Sequence, residues 1–206
     1  MNRKLLAAVA LVVLGASLGW LYLSRRPHVV PWPTESFDQL AQLAGDATAK
    51  LRGNRGTVVV VQWDATRMGI PRYDGPIAQF RERAGTHGVK VVTVATIKLK
   101  RGVNTPGPQF AEIVRQHASV DAIVLFGPAY GLKIQDVAAL PAPHPRIVSV
   151  ASFDYQLKPL FAGQLIDWAI IERGWAPKLQ AGSAPYVVVT AQDAADLPDC
   201  PPPGCE

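Results

Sequence analysis

Residues 57–67 read TVVVVQWDATR, an unbroken run of β-branched side chains that stops in a polar loop signal. Apolar character that is continuous rather than alternating calls for burial on both faces, the pattern of a parallel strand covered by helices. Similar runs recur at Val89–Ala95, Asp121–Phe126, Arg146–Ala151, Ile166–Ile171 and Tyr186–Thr190. Helical periodicity falls near Pro76–Thr86, Pro108–His117 and Ile134–Leu140, with a shorter candidate at Leu157–Gln164. Ahead of the first run, Ser36 offers an N-cap for a helix to about Arg52, with Phe37, Leu40, Leu43, Ala47 and Leu51 along one side. Strands alternating with helices predict an α/β domain over residues 36–191, a mostly parallel five- or six-stranded sheet with helices on both faces, as in flavodoxin-like folds.

Outward from this domain, Leu5–Leu23 carries no charged residue and has the length of a membrane-crossing helix. Trp20 and Tyr22 near its end, followed by Arg25 and Arg26, suit the bilayer interface. A cleaved signal peptide competes, because Arg3 and Lys4 precede an apolar stretch and Gly15-Ala16-Ser17 is a small-residue site. The apolar continuation past Ser17 favours a retained anchor over residues 1–26. Residues 27–35, PHVVPWPTE, read as a stiff spacer. The expected topology is a single pass through the inner membrane, with the domain in the periplasm or extracellular space.

The last segment, residues 192–206, reads as an acidic, proline-rich exposed tail holding the only two cysteines, Cys200 and Cys205. A disulfide between them fits an oxidising compartment, and two free thiols are the competing reading. Zinc held by this pair alone is disfavoured, since structural zinc takes four ligands. His28, His87, His117 and His144 have no spacing suited to a shared metal, and neither metal nor cofactor is expected.

The net charge of +5 invites a nucleic-acid reading, but the charge is concentrated at the front. Arg3, Lys4, Arg25 and Arg26 are four of the 21 basic residues, which leaves 17 against 16 acids in the rest of the chain. So neutral a domain lacks the electrostatic footprint of a nucleic-acid binder.

In an open parallel sheet, ligands bind beyond the carboxyl ends of the strands. The loops there carry Asp64 and Arg67 after the first strand, Lys98, Lys100 and Arg101 after the second, Tyr130 after the third, and Phe153 and Asp154 after the fourth. Asp64 and Asp154 can accept hydrogen bonds from a hydroxylated ligand with Arg67 nearby, and Tyr130 or Phe153 can offer an apolar face. Turn capping is the plainer role for both aspartates. Lys98, Lys100 and Arg101 form an anion candidate, against the plainer role of a solvated strand end. GxGxxG, GxxxxGK[ST] and GxSxG are all absent, which removes dinucleotide and nucleotide cradles and the α/β-hydrolase nucleophile.

Three segments, VDAIVLFGPAYGL (120–132), QLIDWAIIERG (164–174) and PYVVVTAQDAADLP (185–198), resemble type I periplasmic sugar-type substrate-binding proteins. The resemblance spans roughly residues 57–198 and implies a periplasmic-binding-protein-like fold. Family members close two lobes around a ligand, whereas this chain has strands for one lobe, so hinge closure does not carry over. Two functional readings follow. One is a membrane-tethered extracytoplasmic domain that recognises a small solute or an envelope protein. The other is an enzyme of undetermined class that uses Asp64 and Asp154.

Overall fold

A computed structural model describes residues 13–17, 19–20, 34–51, 53–64, 73–98, 107–127, 132, 140, 143–150, 157–175 and 184–197. Six strands form one sheet in the order β2-β1-β3-β4-β5-β6. They are β1 (Gly56–Asp64), β2 (Val89–Lys98), β3 (Ala122–Phe126), β4 (Arg146–Val150), β5 (Trp168–Glu172) and β6 (Tyr186–Thr190). The first five are parallel, and β6 runs antiparallel to β5. The helices are α1 (Thr34–Leu51), α2 (Asp74–Thr86), α3 (Gly107–Gln116) and α4 (Leu157–Ala162), with 3-10 turns at Arg173–Trp175 and Asp193–Asp196.

β1 and β3 bury both faces because successive side chains enter different cores, whereas β2, at the edge of the sheet, buries only Val89 and Ile97. Val58 and Val60 of β1 with Val124 and Phe126 of β3 meet Leu40, Ala41 and Ala44 of α1 and Ile77 and Phe80 of α2. Val59 and Val61 with Ile123 and Leu125 meet Phe110 and Val114 of α3 and Leu157 and Leu160 of α4. This is the two-faced sheet expected from the apolar runs. Small side chains on α1 bring that helix close to its neighbours: a Cβ on Gly45 would stand 2.9 Å from Arg83 Cγ on α2. The same helix pair is tied by Asp46, which accepts from Arg83 Nε at 2.7 Å and Nη2 at 3.1 Å and contacts His87 Nε2 at 2.8 Å. The Arg83 hydrogen bond holds the Asp46 carboxyl below its usual range against an opposing effect of burial.

Two aspartates placed just before strands do the same job. Asp121 Oδ2 accepts from the backbone N–H of Thr57 at 2.8 Å, and Asp167 Oδ2 from that of Ile147 at 2.8 Å. In each case the carboxylate satisfies a donor at the start of the neighbouring strand, a group that is costly to bury unpaired.

Several boundaries differ from the sequence reading. The first helix starts at Thr34, so Ser36 lies inside it and is not its cap. Pairing carries β1 to Asp64 and β2 to Lys98, past the end of their apolar runs. The tail is tied down as far as Leu197, which is buried, while Asp193 Oδ2 accepts from the Thr190 N–H at 2.9 Å. α4 ends at Ala162 in a Schellman turn, with Gln164 at φ +57° and the Leu165 N–H bonded to Leu160 O at 2.9 Å. Most of the expected helix at Ile134–Leu140 lies outside the described residues, as does the Cys200 and Cys205 pair. Residues 13–17 and 19–20 are helical, and no helix among the described residues is long and apolar enough to cross a membrane.

Candidate functional site

The order of strands makes β1 the switch point: one chain connection leaves it toward β2, and the next returns to β3 on its other side. A crevice at the carboxyl ends follows from that divergence. The departure points of four loops are neighbours there. Asp64 stands opposite Lys98 in the β1–β2 register, Gln62 opposite Phe126 in the β1–β3 register, and the Gly127 N–H donates to Val150 O at 3.0 Å. Asp64 is half-buried and Lys98 exposed. The structure therefore brings together two of the residues singled out from the sequence; Arg67, Lys100, Arg101, Tyr130, Phe153 and Asp154 lie outside the described residues.

The residues that sequence reasoning missed are the two just before Asp64. Gln62 is 3% exposed and Trp63 5% exposed. Among the described residues Gln62 Oε1 and Trp63 Nε1 have no hydrogen-bond partner, and the only other buried side-chain polar atom in that condition is Thr48 Oγ1. A buried polar group left unpaired costs about 1–3 kcal/mol, so two in sequence at a strand end need a physical reason. They face opposite sides of the sheet. Gln62 lines a recess of about 280 Å³ beside Asp74 and Arg81 of α2 and Thr96 of β2, whose Oγ1 takes a long hydrogen bond of 3.4 Å from Gln62 Nε2. The Trp63 ring lies over Gly127, where a Cβ would come within 2.1 Å of Trp63 Cδ1. A larger recess opens at the opposite, amino-terminal edge of the sheet, away from every residue singled out for chemistry. The carboxyl edge remains the better candidate for the primary site, because it combines the switch point with a Gln62 acceptor unpartnered among the described residues.

This fold is that of the sugar-type substrate-binding proteins of ABC transporters, the likeness expected from the three quoted segments. A glucose-galactose binding protein from Geobacillus stearothermophilus superposes with TM-score 0.52 at 14% identity over 76% of this chain and 61% of its own. A sugar-binding protein of a sugar ABC transporter from Bacillus halodurans gives 0.56 at 15% over 77% and 63%, and a substrate-binding protein from Bordetella parapertussis 0.54 at 16% over 83% and 62%. The chain thus spans about three fifths of the length of the solved structures it matches. No protein-family model and no curated protein matches the sequence.

Proposed function

We propose that this chain is a solute-binding domain that takes a small polyhydroxylated molecule at the carboxyl edge of its sheet and is held outside the cytoplasm by an N-terminal membrane anchor. The observation that carries the reading is Gln62 Oε1, a buried acceptor near the end of β1 without a partner among the described residues, on a side chain that lines a recess between α2 and the β1–β2 side of the sheet. A ligand hydroxyl donated to it removes the penalty of an unmade hydrogen bond. The solved neighbours are described as binding glucose, galactose or arabinose, in line with that class. Asp64, Arg67, Tyr130, Phe153 and Asp154 complete the proposed contacts, with Lys98, Lys100 and Arg101 at the rim. A single sheet supplies one wall of a cleft, so an envelope protein that furnishes the second wall is part of the proposal.

The anchor is supported by the uncharged run Leu5–Leu23 and by Val13, Leu14 and Trp20, which expose apolar side chains that a bilayer would cover. A disulfide between Cys200 and Cys205 belongs to the same extracytoplasmic reading. The full chain is expected to sediment with membranes and to bind a pentose or hexose by calorimetry. In the Asp64→Ala and Asp154→Ala chains affinity falls by about tenfold or more, while a lost cap costs the fold only on the order of 1 kcal/mol. Equal melting losses with unchanged affinity would assign both aspartates to turn capping instead.

A further inference from the structure

The recess at the amino-terminal edge has about 780 Å³ of open space between the starts of β4 and β5 and the end of β6. That is within the range of about 300–1,000 Å³ typical of small-molecule sites. Its polar lining is arranged in a way that packing alone does not require. Asp167 uses one carboxylate oxygen on the Ile147 N–H and the other on Arg146 Nη1, which fixes the guanidinium and leaves its remaining N–H groups without a partner among the described residues. His144 Nδ1 lies 2.8 Å from Pro145 O; since a carbonyl only accepts, Nδ1 carries the proton and Nε2 of the neutral ring is an acceptor. Gln164, which lines the recess and carries an amide, occupies the left-handed position of the Schellman turn at φ +57°, where glycine has no steric cost. Gln192 adds a second amide, and half-buried Trp168 an aromatic surface.

We infer that this recess is a second binding site, for a neutral polyhydroxylated solute of sugar size, on the edge of the sheet opposite the strand-end loops. Neutrality follows from the balance of Arg146 against Asp167, the only Arg, Lys, Asp or Glu side chains among the described residues of its lining. The hydroxyl preference follows from interspersed donors (Arg146, both amides) and acceptors (His144 Nε2, both amide oxygens), with Trp168 suited to the C–H face of a sugar ring.

Hydrogen exchange on the full chain, with D-glucose, D-arabinose or D-glucuronate added to saturation, tests this separately from the carboxyl-edge proposal because it is read segment by segment. Slower exchange is expected at residues 144–149, 164–171 and 190–194 with the neutral sugars. Gln164→Gly and Gln192→Ala change exposed side chains; together they are expected to weaken that protection by about tenfold in half-saturating concentration. Gln164→Gly alone should raise Tm, since glycine is unstrained at positive φ. Three results would each overturn the inference: no protection in these segments with either neutral sugar, protection that survives the double variant, or stronger protection by glucuronate than by glucose.

Discussion

Gly127→Ala is expected to lose about 3–5 kcal/mol of stability, the combined cost of overpacking and of a backbone that L side chains avoid. Gly127 sits at φ +124° at the end of β3, and a Cβ there would stand 2.1 Å from Trp63 Cδ1 and 2.8 Å from Nε1. The indole cannot swing clear, because Trp63 is 5% exposed and packs among Ile97, Leu125 and their neighbours. A thermal melt should fall by roughly 6–20 °C, at about 2–4 °C for each kcal/mol in a chain of this size. Gly75→Ala is the control: nothing lies within 4 Å of its Cβ position, in the first turn of α2, so its melt should hold or rise. Equal melts for the two variants would mean that the ring does not lie over Gly127.

Phe126→Ala, one residue earlier, is expected to cost about 3–5 kcal/mol for a different reason, a cavity in the core facing α1 and α2. Phe126 is fully buried, its ring 5.5 Å from that of Phe80 at 71° and 6.2 Å from that of Tyr73 at 56°. Its backbone pairs with Gln62 of β1 and Val150 of β4, so neighbouring strands restrain collapse into the hole. Denaturant unfolding should show a lower midpoint with an unchanged slope. Val92→Ala should change the unfolding free energy by under about 0.5 kcal/mol, since Val92 is 44% exposed at the bulge where the β1–β2 register slips. A small loss at Phe126 would contradict the described packing.

The sheet was readable in the sequence because β1 and β3 are covered by helices on both faces and show it as unbroken apolar runs, although the edge strand β2, with Lys90 and Thr93, does not. Its limits were less readable. β1 and β2 continue to Asp64 and Lys98 because backbone pairing outlasts the apolar side chains, and pairing leaves no compositional mark. The antiparallel direction of β6 is likewise silent in YVVVT, since a buried strand reads alike either way. Among the aspartates, position after a strand drew attention to Asp64 and Asp154, while Asp121 and Asp167, placed before strands, turn out to satisfy the first donors of their neighbours. Gln62 passed for a strand end, and only burial distinguishes a solvated glutamine from one with an unmade hydrogen bond. Gln164 gave no warning of positive φ, because left-handed turns announce themselves in sequence chiefly through glycine or asparagine.

The central claim, that the carboxyl end of β1 is a solute site, is tested most directly by calorimetric titration of the wild type and of Gln62→Leu with D-glucose, D-galactose and D-arabinose, each paired with a thermal melt. An apolar side chain of similar size removes a buried acceptor that is unpaired among the described residues, so stability and binding should move in opposite directions. The account predicts that Gln62→Leu melts at or above the wild-type temperature and binds about tenfold or more weakly. Unchanged affinity in Gln62→Leu, or no binding of these sugars by the wild type, would contradict it.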